Sequence, residues 1–296
     1  MTTATEATTD GARRPVVESP ARMVWRRFRR HRLALLSAIV LLGLGIACLS
    51  VPLFVSEQES LQVDFSQREK PPSLAHPFGT TTLGRDYLVT CLYGGRISLE
   101  VGLFATLVAV FVGTFLGAIA GWAGGWVDNL IMRGVDLMLA IPIFFVLLLL
   151  ASYYGTSLLM VTLIIGLTSW TDVCRLVRAE FLSLREKEFV EAARALGVPA
   201  PRIVMLHLLP NAASPLIVAA TLGMARAIIV ESALSYLGFG VQPPIVSWGS
   251  LLRTAQADLQ TLPWLATFPG ALIFIVVLAC NFLGDGLRDA LDPRTV

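Results

Sequence analysis

Long apolar segments with almost no charge are the feature that most constrains this sequence of 296 residues. Segments 33–55 and 135–154 are each long enough to supply the roughly 20 apolar helical residues that cross a bilayer core. Over the whole chain, 55% of residues are hydrophobic and only 15% are charged, whereas about 25% of a soluble protein is charged. The sequence therefore predicts an all-α membrane protein.

Six transmembrane helices are predicted from the apolar segments. The third contains Pro142, and the sixth is entered through Pro263 and Pro269. Ser98 and Asn211 are predicted to cap the second and fifth spans, because such side chains accept hydrogen bonds from free helical N–H groups. An even number of spans places both chain ends on one side. The predicted spans are 33–55, 98–121, 130–153, 157–171, 212–232 and 266–286.

Basic residues are distributed unevenly between the two sides of the membrane. Eight arginines lie in segment 1–32, before the first span, and segment 172–211 holds six basic residues. The proposed outer segments, 56–97 and 233–265, hold four and one. Because cytoplasmic loops carry an excess of Lys and Arg, both termini are predicted to be cytoplasmic. We interpret the N-terminal arginines as a membrane anchor rather than a nucleic-acid-binding patch.

The spans divide the chain into further regions. The outer loop is predicted to end in a short amphipathic helix, Asp86 to Arg96, at the membrane interface. The first 20 residues are polar and rich in Thr, which is typical of a disordered tail. The regions are the basic segment 1–32, the first span 33–55, the outer loop 56–97, a core of five spans 98–288 and a cytoplasmic tail 289–296.

The inner loop, 172–211, is the most informative polar segment. Its pattern predicts a helix over 181–196, ended by Gly197, the residue type expected just past a helix end. Pro199 and Pro201 prevent simple continuation of that helix. Pro201 also suits the first turn of a second helix. The loop is therefore predicted to form a helix, a sharp turn and a short helix outside the membrane.

The alanines of this loop allow two interpretations. Ala192, Ala193 and Ala195 are small enough for another protein's backbone to come close, which favours a docking surface. An ordinary amphipathic helix lying at the membrane interface would show the same pattern. Composition and spacing alone support the two interpretations equally.

The spacing within this loop resembles the EAA loop of permeases from binding-protein-dependent ABC importers. The stretch EAARALG (191–197) followed by RIVMLHLLPN (202–211) is closely similar to the peptide/nickel branch of that family. The resemblance implies that the 191–210 loop carries a coupling helix, which docks in a cleft of a cytoplasmic ATPase. The matching positions are Glu191, Ala192, Ala193, Gly197, Leu209 and Pro210.

Other stretches along residues 20–295 resemble the same branch. They are HPFGTTTLGRD (76–86), LYGGRISL (92–99), GGWVDNLIMRGVDLMLAIP (124–142) and ESALSYLGFGVQPPIVSWG (231–249). The departures are Thr81 where Asp is common, Tyr236 for Phe, Phe239 for Leu, and Ile245-Val246 where Pro is common. None of them lies in the inner loop. Together the stretches resemble the C-type permease subunit of dipeptide, oligopeptide or nickel importers, which implies the type I ABC importer permease fold.

The resemblance also implies a set of partners in the bacterial cytoplasmic membrane. A homologous permease subunit would complete a heterodimeric pathway through the membrane lipid. An extracytoplasmic substrate-binding protein would deliver a peptide, and two cytoplasmic ATPases would drive the cycle through the 191–210 loop. ATP and Mg²⁺ would be bound by those ATPases and not by this chain.

No residue pattern in the sequence predicts catalysis or cofactor binding. A GxxxxGK[ST] P-loop does not occur, and Lys appears only at positions 70 and 187. His31, His76 and His207 fall in different segments and cannot share a site, and the four cysteines lack a metal-binding spacing. The chain is therefore predicted to be a non-catalytic subunit with no cofactor and no metal.

Charged residues inside the predicted spans are candidates for the translocation path, because intramembrane charges are expensive. Such residues either line the path or pair with a neighbouring helix or a partner subunit. For Asp136 we favour pairing. For Arg226 we favour the path, because an arginine can bind the carboxylate of a peptide. Glu231, near the outer end of the fifth span, is the third candidate.

Small residues recur in the second predicted span. Gly113, Gly117 and Gly121 follow one another at intervals of four, a pattern that allows two membrane helices to approach closely. We therefore predict a helix-packing role for these glycines and not a substrate-binding role.

Two other classes of protein were weighed against an importer subunit. A stand-alone secondary transporter or channel needs coupling-ion residues within its spans and usually an internal repeat of broken helices; the sequence has few such residues and no evident repeat. A membrane enzyme would need a catalytic constellation. The sequence leaves the substrate open among dipeptides, longer peptides, nickel chelates, haem and short sugars.

Overall fold

The computed structural model describes residues 20–155 and 157–291, and these residues form helices with no β-strand. The predicted helical fold class is therefore confirmed over the described chain, while residues 1–19, 156 and 292–296 lie outside it. A π-helical turn, Val204–Leu208, joins α10 to α11. The helices are α1 Pro20–Arg30, α2 Arg32–Phe54, α3 Glu57–Ser60, α4 Tyr87–Ala123, α5 Gly125–Ala140, α6 Ile143–Tyr154, α7 Leu158–Thr168, α8 Trp170–Leu184, α9 Glu188–Ala195, α10 Ala200–Ile203, α11 Leu209–Asn211, α12 Ala213–Leu237, α13 Trp248–Ala255 and α14 Trp264–Leu291.

Five helical segments of the described chain are long and apolar enough to cross a membrane. They are α2, α4, α7 continued by α8, α12 and α14. The pair α5–α6 passes the same test only as one unit, and its two halves meet at 86°. The predicted number of six spans is therefore reached when this bent pair counts as one.

Pro142 explains why the third span is bent. Proline has no N–H to donate, and it disfavours helical backbone at the residue before it. Ile141 accordingly adopts the extended angles φ −98° and ψ 130°, and α6 starts at Ile143. The predicted single span 130–153 is thus two helices joined by a sharp turn.

The helix of the second span starts earlier than predicted. Helix α4 runs without interruption for 37 residues from Tyr87, so the predicted interfacial helix Asp86 to Arg96 is not a separate helix but the first part of α4. Asp86 caps the helix, its carboxylate accepting hydrogen bonds from the N–H groups of Leu88 and Val89. Ser98 is not a cap but a fully buried residue within the helix.

Two further boundaries differ from prediction around the inner loop. The fourth span, predicted as 157–171, bends at Ser169 and continues through α8 to Leu184. The predicted helix 181–196 is therefore divided by a turn at 185–187, after which α9 begins. Asn211 does not cap the fifth span, because its side-chain amide donates a hydrogen bond to the carbonyl oxygen of His207 at 2.6 Å.

Close packing of α4 against α8 holds the centre of the fold together. At Gly117, a Cβ atom would lie 2.5 Å from the carbonyl oxygen of Cys174, and at Gly121 it would lie 2.6 Å from the Cβ of Phe181. Gly113 meets Val173 and Trp170 in the same way. The predicted helix-packing role of the three glycines is confirmed.

Candidate translocation cavity and docking segment

A cavity of about 950 Å³ lies among α4, the bent pair α5–α6, α7–α8 and α12. On α12 its wall extends from Ser214 to Val230, a distance of about 24 Å at the 1.5 Å rise per helical residue. Much of the lining is apolar, but Glu180 of α8 and Arg288 of α14 also contribute to the wall. The cavity therefore follows α12 for most of its length and combines apolar and charged surfaces.

The break between α5 and α6 forms part of the cavity wall. Ile141, Pro142 and Ile143 all line the cavity. Backbone groups outside a regular helix lack partners in lipid, and they are tolerated at membrane depth only when buried in protein or facing a water-filled cavity. The break therefore lies at the cavity wall, a place where irregular backbone is tolerated.

A cluster of three charged residues stands at this cavity. The Oδ2 atom of Asp172 accepts a hydrogen bond from the Nη1 atom of Arg226 at 2.6 Å, and its Oδ1 atom accepts one from Arg175 at 3.1 Å. Asp172 and Arg226 both line the cavity, and their side chains are 49% and 65% exposed. We call these three residues the Asp172 cluster. It presents one carboxylate and two guanidinium groups, a surplus of one positive charge.

A second acidic group on α12 has different surroundings. Glu231 has no exposed surface, and its carboxylate accepts hydrogen bonds from the hydroxyl groups of Ser98 at 3.0 Å and Ser235 at 2.7 Å. The Oγ atom of Ser98 in turn accepts a hydrogen bond from the backbone N–H of Trp248 at 3.1 Å. These four residues, the Glu231 cluster, tie α12 to α4 and to the start of α13.

The structure separates the three candidate path residues from one another. Arg226 lines the cavity, as a path residue must. Glu231 is enclosed between helices and contributes nothing to the cavity wall, so its position favours a structural role. Asp136 also lies outside the wall, on an exposed face of α5, so the structure does not place it in the path.

A third acidic group joins the bent pair to α8. The carboxylate of Asp128 on α5 accepts hydrogen bonds from both the Nε and Nη2 atoms of Arg178. The two side chains are 11% and 32% exposed, so this bidentate pair is much less accessible than the Asp172 cluster.

Residues 188–211, here called the docking segment, follow α8 outside the apolar spans. Gly197 adopts φ +75°, and its N–H donates to the carbonyl of Arg194 while the N–H of Val198 donates to the carbonyl of Ala193. This paired arrangement is the Schellman motif, which favours glycine at the left-handed position. The predicted helix end at Gly197 is thus confirmed.

One side of the docking segment is anchored and the other is exposed. Val190, Ala193 and Leu208 are buried in an apolar cluster with side chains of α8, and the guanidinium of Arg194 lies 4.6 Å from the ring centroid of Trp122 at the end of α4. These contacts connect the docking segment to two spans, α8 and α4. The outward side carries Glu191, Ala192, Leu196, Met205, Leu206 and Pro210, and Leu196 is 83% exposed.

The predicted loop residues are therefore placed in one short segment but on different sides of it. Glu191, Ala192, Gly197 and Pro210 face outward, Ala193 packs inward, and Leu209 is partly buried. Sequence reasoning missed Asp172, because the fourth span was ended just before it. The available signal was the spacing of Asp172 and Arg175, which are three residues apart and would pair on one face of a helix that continues past the predicted end of the span.

Apolar spans around a cavity with charged residues in its wall, together with an anchored helical segment outside the spans, are the features of a multi-span membrane transport component. The family model for the inner membrane component of binding-protein-dependent transport systems matches residues 113–296. The model for the N-terminal transmembrane domain of oligopeptide transport permease C matches residues 19–72.

Three relatives are similar over nearly their whole length. The oligopeptide transport system permease protein OppC of Escherichia coli is 42% identical over 284 residues, 94% of each chain. The OppC protein of Salmonella typhimurium is 43% identical over the same shares. The dipeptide transport system permease protein DppC of Alkalihalophilus pseudofirmus is 41% identical over 93% of this chain and 90% of its own. The chain belongs to the family of binding-protein-dependent transport system inner membrane components.

Proposed function

We propose that this chain is the transmembrane permease subunit of an ATP-driven importer that carries dipeptides or oligopeptides across the bacterial cytoplasmic membrane. The observation that carries the proposal is the cavity, bounded at membrane depth by a broken helix and by the charged Asp172 cluster. The relatives of the chain are named as oligopeptide and dipeptide transport permeases. A peptide has charged ends and apolar side chains, which suit a cavity with both charged and apolar surfaces.

In this proposal the chain supplies one half of the pathway. A homologous permease subunit supplies the other half, and an extracytoplasmic binding protein delivers the peptide. Two separate ATPases bind ATP and Mg²⁺, because the sequence holds no P-loop. The purified chain alone is accordingly expected not to bind ATP at micromolar concentrations. Both termini are cytoplasmic, a placement supported by the basic segment before α2.

The docking segment transmits the movement of the ATPases to the spans. Its exposed side offers small and apolar contacts around Glu191 and Leu196, while its buried side is fixed to α8 and to Trp122 of α4. A push on this segment therefore displaces two helices that line the cavity, which is a rigid-body form of switching.

Transport by the reconstituted complex tests this function. Proteoliposomes containing the chain, its partner permease and both ATPases are expected to accumulate peptide only when ATP and the loaded binding protein are present. A panel of peptides of different lengths identifies the substrate class. Uptake driven by a proton or sodium gradient without ATP would show a secondary transporter instead.

A pair of glycine variants tests the coupling assignment. At both Gly197 and Gly155 the φ angle is positive and a Cβ would meet nothing within 4 Å, so valine strains the backbone without a clash inside the chain. The strain is roughly 1 kcal/mol at Gly197 and larger at Gly155, whose φ of 89° and ψ of 176° fall in a region that is essentially restricted to glycine, so Gly155→Val is the more severe backbone control. Only Gly197 lies in the docking segment. Gly197→Val is expected to abolish stimulation of ATP hydrolysis by the loaded binding protein, whereas Gly155→Val retains it.

Glu191→Ala tests the same surface through charge. A carboxylate docked against a donor on the ATPase is worth about 1.5–3 kcal/mol, so this variant is expected to weaken co-purification of the ATPases. Normal assembly and normal import by both Gly197→Val and Glu191→Ala would remove the coupling assignment.

A further inference from the structure

The Asp172 cluster is built as an open ion pair. Arg226 contacts Asp172 through one nitrogen only, and 65% of the Arg226 side chain is exposed. Its remaining N–H donors are therefore accessible while the pair is intact. The Asp128–Arg178 pair is the opposite case, since Arg178 donates to Asp128 through both Nε and Nη2 and Asp128 is only 11% exposed.

The position of the cluster places an accessible arginine partway along the cavity. Arg226 lies near the middle of α12, and Asp172 lies near the middle of the span Leu158–Leu184. The cavity wall as a whole holds two acidic residues, Asp172 and Glu180, and two basic residues, Arg226 and Arg288. Within the cluster, however, Arg175 and Arg226 share the single carboxylate of Asp172, so a second carboxylate that reached Arg226 would give each guanidinium group a partner of its own.

We propose that Asp172 is a displaceable counter-ion of Arg226, and that the terminal carboxylate of a peptide takes its place during passage. Arg175 holds the other oxygen of Asp172, so Asp172 keeps a partner after Arg226 has been released. Each guanidinium group thus contacts a carboxylate both with and without peptide, and the two share that of Asp172 only when peptide is absent. Asp172 is thereby a specificity-determining residue for substrates with a free carboxyl terminus. This inference rests on the proposed function, because it assigns the peptide to this cavity.

A purely structural ion pair makes a different prediction from a displaceable one. If the pair only joins α8 to α12, loss of either partner breaks the same contact and changes peptide binding in the same direction. If Asp172 competes with the peptide, its loss frees Arg226 and strengthens binding. Loss of Arg226 removes the carboxylate's donor and weakens binding. The two single variants therefore separate the interpretations by sign.

The test measures equilibrium binding of tritium-labelled tri-alanine and of its C-terminal amide. The protein is the complex of the chain, its partner permease and both ATPases, held in nanodiscs without nucleotide and without the binding protein. Asp172→Asn is expected to lower the Kd of the free acid, and Arg226→Gln is expected to raise it, each by roughly tenfold. The Kd of the amide should change by less than about twofold in both variants, because the amide has no carboxylate to contact Arg226. Arg133→Gln, an exposed arginine outside the cavity wall, is the control and should bind both peptides as the unmodified complex does.

Three results would overturn the inference. They are shifts in the same direction for both variants, equal shifts for the acid and the amide, and no binding of tri-alanine by any variant. Arg226→Lys keeps the charge and replaces Arg226→Gln if the latter does not assemble; it should bind the acid more tightly than the amide. ATP-dependent import by the unmodified complex is measured in parallel. Import with the wrong pattern of Kd values rejects only this inference, whereas absence of import rejects the proposed function.

Discussion

Arg226 and Glu231 are two charged residues on the same helix, five positions apart, with opposite surroundings. Arg226 is mostly exposed to the cavity and shares a single carboxylate with Arg175. Glu231 is fully buried, and hydroxyl groups from two helices surround its carboxylate. The comparison teaches that an intramembrane charge is not by itself a sign of a path. The path is indicated by the charge that remains accessible.

The largest effect is expected from removing the buried acidic side chain of Glu231. Glu231→Ala leaves Ser98 and Ser235 without their acceptor and creates a void, which should destabilise the complex by about 2–4 kcal/mol. Thermal unfolding of the detergent-solubilised complex measures this. Glu231→Gln keeps an acceptor for the serines and is the control with the smaller loss. A stable Glu231→Ala complex that fails to transport would contradict the structural role.

A pair of aspartate variants sharpens the contrast between closed and open ion pairs. Asp128→Asn leaves the partly buried Arg178 without its charge partner and is expected to destabilise the complex by about 3 kcal/mol. Asp172→Asn should change stability by less than about 1 kcal/mol, because both partners are largely exposed. The same thermal measurement compares the two. Equal losses would mean that the Asp172 cluster is as structural as the Asp128 pair.

The smallest effect is expected at Arg175. Arg175→Gln should alter stability by no more than about 0.5 kcal/mol, as is usual for an exposed charge. Because Asp172 then has only Arg226 as partner, it should compete more strongly, and the Kd of tri-alanine should rise by about twofold. Binding to the nanodisc complex measures the shift. A fall in Kd would be the wrong sign for a competing counter-ion.

The sequence predicted the features that depend on local chain properties. Apolar runs marked every span, because crossing a bilayer requires a minimum helical length. Gly197 marked a helix end, because only glycine adopts a left-handed backbone without strain. The three glycines of α4 marked close helix packing for the same local reason, the absence of a side chain.

The features that depend on distant residues were not predicted. Asp172 and Arg226 are brought together from different spans, and no local pattern reports such a pairing. The hydroxyl groups around Glu231 come from α4 and α12, so its burial was equally hidden. The continuous start of α4 was missed because polar residues near Arg96 imitate an interfacial helix, although tertiary packing extends the span.

The most direct test of the central claim, that the cavity is the peptide path, is chemical labelling of single cysteines on α12. All four native cysteines of this chain are buried, so labelling of the unmodified chain, separated from its partners on a gel, should be low. Ala219 lines the cavity, whereas Ala225 lies in the apolar core with 3% exposure. In the nanodisc complex, a charged methanethiosulfonate reagent is expected to modify Ala219→Cys, tri-alanine should slow that reaction, and the modified complex should no longer import peptide. Ala225→Cys should not react. An Ala219→Cys complex that is unreactive, or that imports peptide normally after modification, would contradict the account.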